Sequence, residues 1–336
     1  MRAVGFRHSL PIDREEALID IEIDKPVAQG RDLLVEVKAV SVNPVDTKVR
    51  KRTDPKGGEP KILGYDATGV VAAVGPDATL FKPGDAVWYA GSIIRPGTNS
   101  EFHLVDERIV GRKPGKLDFA AAAALPLTSI TAWEVLFDRF GIARDGGAGK
   151  SLLIIGGAGG VGSIAIQLAR TLTRLTVIAT ASRPETTAWC RELGAHHVID
   201  HSQAMPEQVK AIGHRFVDYI FGVTESGAHF DAIAEMVAPQ GKFGLIDDPK
   251  SLDVAKLKGK SASLHWEAMF TRSTFQTADM EAQHRLLDEV AYMVDNGTIR
   301  TTVQENLGRI DAANLRRAHA MIESGRTRGK IVLEGF

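Results

Sequence analysis

The chain has 336 residues, 44% hydrophobic and 25% charged, with a net charge of −1. That length suits two domains with ordinary globular cores, and so even a charge balance gives no global electrostatic case for a nucleic-acid or membrane partner. One cysteine, Cys190, excludes an internal disulfide and any multi-cysteine zinc site.

The opening MRAVGFRHSLPID is charged, broken by Pro11, and has no secretory apolar region. Runs such as Leu152–Ile155 and Ala120–Leu125 are too short to cross a bilayer. Without a leader or disulfides, the expected compartment is the cytoplasm.

The first 110 residues read as β-rich. Leu33–Val40 ends at a turn signal, Asn43-Pro44, and Gly64–Val74 is a small-residue strand ending at Gly75-Pro76. A turn at Phe81–Asp85 precedes a strand at Ala86–Ala90. Short strands between Gly/Pro turns suggest a barrel-like unit. Near residue 118 the pattern changes. Asp118 is a candidate N-cap for a helix over Phe119–Leu125, and another helix follows around Ser129–Phe140. Strands are then expected at Ser151–Ile155, Thr176–Ala181, His197–Asp200, Val217–Phe221 and Lys242–Ile246, with helices at about 162–172, 184–193 and 226–237 between them. This βαβ series predicts an α/β fold with a doubly wound parallel sheet. Beyond residue 275 come a helix (about 279–296), a strand-like stretch (Thr301–Val303), a helix (about 311–324) and a strand (Lys330–Leu333). Lys256, Lys258 and Lys260 read as a solvated basic face.

The strongest chemical signal is SLLIIGGAGGVGSIAIQLAR. Gly157, Gly159 and Gly162 fit G-x-G-x-x-G, with Gly156 and Gly160 extending the run. The pattern alone is weak, but here it leaves an apolar strand and opens an amphipathic helix, the context that gives it meaning. Gly157 and Gly159 would let the backbone approach a pyrophosphate, and the helix N-terminus would offer it free N–H groups. An NAD enzyme places Asp or Glu about 20 residues further on. Here Thr176–Ala181 runs into Ser182-Arg183-Pro184-Glu185, with no acid at the expected position. Ser182 can donate to a 2′-phosphate and Arg183 can pair with its charge, so NADPH is the expected cofactor. The bland alternative makes Arg183 a solvated cation at a helix start.

The segments LVEVKAVSVNPVDTK, ILGYDATGVVAAVG, FKPGDAVW, AAAALPLTSITAWEVL and IIGGAGGVGSIAIQLA occur in the order expected of medium-chain dehydrogenase/reductases, and the closing GRTRGKIVLEG resembles that family's last strand. The chain is most similar to the quinone oxidoreductase and enoyl reductase relatives, and AWEVLFDRFGI with LHWEAMFTRS resembles a subgroup often named zinc-type alcohol dehydrogenase-like. The resemblance implies a β-rich GroES-like catalytic domain (1–125), a Rossmann domain (126–270) and a C-terminal return (271–336). Zinc-using relatives carry a cysteine near Asn43 and Gly-His-Glu where this chain has Gly64-Tyr65-Asp66, so no metal is expected.

The same resemblance implies a set of site residues. Asn43 and Asp46 of NPVDTK would lie beside the nicotinamide, with Lys48 where several relatives carry a tyrosine. Thr128 and Thr131 would border the nicotinamide ribose, Gly160 and Val161 the pyrophosphate, and Ile246 the nicotinamide. His201 would pack on the adenosine 2′-phosphate, and Arg328 and Lys330 are similar to basic residues near the cofactor. Hydride transfer needs no protein nucleophile. Lys48, Tyr65 or the Asn43 amide could steady the developing oxyanion, although a surface role is the default for a lysine such as Lys48. Trp266, Met269, Phe270 and Phe275 are candidate substrate-pocket residues, or equally core or dimer interface. His196, His197 and His201 lack a fourth ligand for a metal. The expected protein is a homodimer paired along Lys260–Trp266, with its site in the cleft between the domains. It would reduce quinones or α,β-unsaturated carbonyls with NADPH. The alternatives are a zinc-type alcohol dehydrogenase and an NADPH-binding protein without turnover.

Overall fold

Residues 1–55 and 58–336 are described by the computed structural model. They divide into two units, Met1–Ile130 with Phe270–Phe336, and Thr131–Met269.

The first unit begins with β1 (Arg2–Phe6), β2 (Ile19–Glu22), β3 (Asp32–Val42), helix α1 (Pro44–Arg52), β4 (Lys61–Ile62), β5 (Ala67–Val74), β6 (Ala86–Tyr89), β7 (Phe102–Asp106) and β8 (Val110–Arg112). Asn43-Pro44, expected to be a turn, instead starts α1. Proline at the first helical position loses no bond, because that N–H has no intrahelical partner anyway, and Asn43 and Asp46 form a reciprocal capping box. Helix α2 (Phe119–Ala123) starts as expected, with Asp118 accepting from the Ala121 N–H at 2.7 Å. Helix α3 (Pro126–Trp133) runs into a π-helical stretch, Glu134–Arg139. Phe119–Arg139 is in fact long and apolar enough to span a membrane, unlike the short runs the sequence suggested. Most of it is buried within the protein, as a core helix would be.

The second unit is the doubly wound sheet. Its elements are β9 (Ser151–Ile155), α4 (Gly160–Leu172), β10 (Thr176–Thr180), α5 (Pro184–Glu192), β11 (His197–Ile199), α6 (Met205–Ala211), β12 (Val217–Gly222), α7 (Ser226–Met236), β13 (Val237–Leu245) and β14 (Ser263–Trp266). The strands pair in parallel in the order β11-β10-β9-β12-β13-β14, the 3-2-1-4-5-6 order of a dinucleotide-binding fold. Its strands are buried on both faces, so they read as apolar runs rather than as alternation. Leu153, Ile155, Ile178, Ile220 and Phe243 share one core cluster. Lys260 is not simply a solvated cation: its Nζ donates to the carbonyls of Ala234, Glu235 and Val237 at 3.0, 2.6 and 2.9 Å and so caps the end of α7.

The chain then returns to the first unit through α8 (Thr271–Phe275), α9 (Ala282–Asp295), β15 (Val303–Asn306), α10 (Ala312–Glu323) and β16 (Lys330–Glu334). The last strand lies antiparallel to β3, with Ile331 opposite Val42, completing a sheet ordered β15-β16-β3-β5-β6-β8 with β7 also on β3.

Candidate functional site

In the first unit, the end of β3, the start of α1, the Gly64–Asp66 loop and the start of β16 converge on one buried polar cluster. The Asp46 carboxylate accepts from the Asn43 N–H at 2.7 Å and from the Gly64 N–H at 2.9 Å. Asp66 accepts from the Leu127 N–H at 2.9 Å and from the Asn43 amide at 2.9 Å. The other amide hydrogen of Asn43 points to the Ser41 carbonyl at 3.3 Å. The Lys330 ammonium donates to the Asn43 amide oxygen, to the Val42 carbonyl at 3.0 Å and to Asp66 at 3.2 Å. Gly64 has φ +107°, and a side chain there would collide with Thr98 and Asn99, so only glycine can bring this loop to Asp46.

Every polar atom of Asn43, Asp46, Asp66 and Lys330 is thus matched within the cluster. This corrects the expectation that the Asn43 amide is free to hold a substrate oxygen. Burial pushes the Asp46 carboxyl up to about 7, against the lowering pull of the Asn43 and Gly64 N–H groups and the Lys330 charge. Burial also raises Asp66 and lowers Lys330, while each charge resists the other's neutralisation. Three donors of an ammonium and the acceptors of a carboxylate are all satisfied, so this geometry holds the ion pair.

Beside the cluster, Tyr65 is 1% exposed and stacks edge-on against Phe270, ring centroids 5.4 Å apart. Among the described residues its hydroxyl has no hydrogen-bond partner. Burial, and then the Asp46 charge, raise its pKa, so it stays a donor throughout the physiological range. Lys48 lies half-buried on α1, and Thr128 is buried on α3 with its hydroxyl bonded back to the Leu125 carbonyl at 3.1 Å. Arg328 is exposed just before β16.

In the second unit, β9 ends in the glycine turn. Gly156 has φ +88°, a conformation open to glycine. A Cβ on Gly162 would sit 2.3 Å from the Gly156 carbonyl oxygen and 2.7 Å from the Gly157 Cα, so α4 reaches the strand only through glycine. Gly157 is hemmed in by Ala179 and Cys190, whereas a Cβ on Gly159 would meet nothing closer than 3.7 Å. Gly159 is the N-cap of α4 and makes no side-chain cap, so the first-turn N–H groups, at Gly160, Val161 and Gly162, remain available to an anion.

Successive strand ends carry the remaining expected cofactor residues. After β10, Ser182 is exposed and Arg183 pairs with Glu185 at 3.3 Å. His201 Nδ1 lies 3.1 Å from the Thr180 hydroxyl, which itself accepts from the Gly156 N–H at 3.0 Å. His229 on α7 packs near His201, ring centroids 6.1 Å apart. Ile246 follows β13. Trp266, at the end of β14, is 57% exposed. Among the described residues no group of three or more His, Cys, Asp or Glu is arranged to hold a metal. Thr180 and His229 joined these clusters without a sequence signal strong enough to single them out, whereas Lys330, expected near the cofactor, has its ammonium spent on Val42, Asn43 and Asp66. For Thr180, its place at the last position of β10 was the available clue.

A family model described as zinc-binding dehydrogenase matches residues 193–333, and one described as alcohol dehydrogenase GroES-like domain matches residues 29–118. A zinc-type alcohol dehydrogenase-like protein of Staphylococcus aureus is 39% identical over 336 residues, spanning 99% of this chain and 99% of its own. A solved Rhizobium etli structure, whose description proposes a zinc-dependent alcohol dehydrogenase, has a TM-score of 0.97 at 59% identity, covering 100% of this chain and 98% of its own. Quinone oxidoreductase of Escherichia coli, solved with NADPH, shares the fold at a TM-score of 0.84 and 24% identity, covering 99% of this chain and 100% of its own.

Proposed function

This chain belongs to the medium-chain dehydrogenase/reductase superfamily of oxidoreductases, among its zinc-type alcohol dehydrogenase-like members, and from that premise we propose that it reduces quinones or α,β-unsaturated carbonyls with NADPH and without zinc. The observation that carries the reading is the buried, unpartnered Tyr65 hydroxyl beside a cluster whose other polar atoms are all matched. An unpaired buried hydroxyl costs about 1–3 kcal/mol, a cost that makes sense if a substrate oxygen pairs with it.

NADPH, when bound, supplies the hydride. The free N–H groups at the start of α4 suit its pyrophosphate, and Ser182 and Arg183 its 2′-phosphate. His201, held by Thr180, serves the adenosine half. On the substrate side, Tyr65 donates to the oxygen that gains negative charge. Asp46, its carboxyl pushed up to about 7 by burial, is the nearest acid to it, and Lys48 on α1 remains a second candidate donor. Phe270 fixes the Tyr65 ring. Thr128 and Ile246 are assigned to the nicotinamide half, Trp266 and Phe270 to the substrate, and Arg328 to the cofactor phosphates.

The zinc in the relatives' names does not fit these residues. Asn43, Tyr65 and Asp66 stand at the ligand positions the resemblance implies, and the Lys330 ammonium already occupies the oxygens of Asn43 and Asp66. No catalytic step is therefore routed through a metal. We further assign the protein to the cytoplasm as a homodimer. In support, β14 is an edge strand of its sheet and carries the exposed Trp266, an edge that favours a partner. A monomeric mass at micromolar concentration would contradict the dimer. The function itself is tested by NADPH oxidation against quinones, enones and aldehydes. Turnover with quinones or enones is expected. Tight NADPH binding with no oxidation across the panel would instead favour a binding protein.

A further inference from the structure

Among the described residues Lys330 is the one cation in the polar cluster around Asn43 and Asp66, 3% exposed, and the proposed chemistry gives its charge no direct task. Its three donors are spent on Val42, Asn43 and Asp66, so none remains for a substrate. Two of those three acceptors are side chains at positions where zinc-using relatives are implied to carry ligands. A divalent cation bound there would have to expel the ammonium or share a buried space with it. Like charges a few ångströms apart in a poorly polarisable interior repel strongly.

We propose that the Lys330 ammonium is the resident cation of this site, standing where a metal would stand and closing Asn43 and Asp66 to any other ligand. The inference rests on the zinc-independent reading above. It accounts for three features together. The Asp66 carboxylate, buried beneath α3, has its compensating charge within the chain. The Asn43 amide is locked with its oxygen toward the ammonium and its hydrogens toward Asp66 and the Ser41 carbonyl. The start of β16 is tied to the end of β3 and to the Gly64–Asp66 loop by one side chain. A metal does such work by coordination; here a lysine does it by three charge-assisted hydrogen bonds. The cluster is then built with the protein and needs no loading.

The test uses the full chain in four variants, Lys330→Met, Asp66→Asn, the double variant, and Lys330→Arg, with two readouts. The first is uptake of zinc alone by equilibrium dialysis. Wild type should take up well below one zinc per chain. The second is thermal melting. Each neutralising single variant leaves one buried charge unpaired, so each should melt well below wild type, whereas the double variant should recover more than half of the larger loss. Lys330→Arg, which keeps the charge, should melt near wild type. If Lys330→Met fails to fold while the double variant folds, that is the same result in stronger form. If neither folds, Lys330→Arg decides: melting near wild type supports the inference and failure to fold overturns it. One zinc per chain, lost in Asp66→Asn, would overturn both this inference and the zinc-independent reading. Strictly additive losses with no zinc uptake would overturn this inference alone. Neither readout uses turnover, so the reductase assignment is judged separately.

Discussion

Replacing Tyr65 by phenylalanine removes one oxygen and should move stability and activity in opposite directions. The hydroxyl is buried and makes no hydrogen bond, so in the unliganded protein it contributes only its lost hydration, about 1–3 kcal/mol. The phenyl ring keeps its edge contact with Phe270, so no cavity opens. Tyr65→Phe should therefore melt higher, by about 2–4 °C for each kcal/mol in a domain of 150–250 residues. If the hydroxyl donates to the oxyanion as it forms, its loss should lower kcat by about 100- to 1000-fold, as with other single oxyanion donors. NADPH affinity should stay within a few-fold, since no cofactor contact is assigned to Tyr65. Calorimetry and steady-state NADPH oxidation on the best acceptor measure both. Turnover within twofold of wild type would remove Tyr65 from the chemistry. A lower melting temperature would mean that the hydroxyl is paired after all.

Gly162→Ala places a methyl 2.3 Å from the Gly156 carbonyl oxygen and 2.7 Å from the Gly157 Cα; because both are backbone, the turn must move, and titration calorimetry should show NADPH binding weakened more than tenfold. Arg183→Ala should weaken NADPH by roughly ten- to a hundredfold, the worth of a charge-assisted contact, and leave NADH nearly unchanged; equal losses would refute the 2′-phosphate assignment. In the second unit, burial and then the neighbouring Glu134 charge push the Glu267 carboxyl up to about 9, although Arg139 lies 2.8 Å from it. A folded value raised above the unfolded one gives stability that is complete below about 4.5 and lost as pH rises through about 9. The contribution of Glu267 to stability should thus fall as pH rises across that window. Glu267→Gln should flatten the dependence and melt higher at pH 8, as urea titrations at several pH values would show.

The parts of this protein set by local rules were legible. The glycine turn could be read because Gly157 and Gly162 are demanded by strand and helix packing against each other within a few residues. Asp118 could be read as a cap because its partner, Ala121, is three residues on. The βαβ alternation gave the sheet. Other features were not legible for physical reasons. Asn43-Pro44 is as good a helix start as a turn, and only the Asp46 side chain reaching back distinguishes them. The π-helical stretch at Glu134–Arg139 carries the same apolar spacing as an α-helix. Lys330 meets Asp66 across 264 positions and Asn43 across 287, so its burial and charge pairing have no local signature. Helix α6 is short, seven residues with Pro206 in its first turn, where proline is tolerated, so it carries little periodic signal.

The central claim, zinc-free hydride transfer from NADPH to a quinone or enone, is tested most directly by following the hydride. NADPH carrying deuterium at C4 is incubated with the chain, an enone and EDTA, and the product is examined by NMR. The account predicts deuterium on the β-carbon, with yield unaffected by the chelator. Deuterium delivered only to the carbon of a carbonyl, in a reaction that EDTA abolishes, would contradict it.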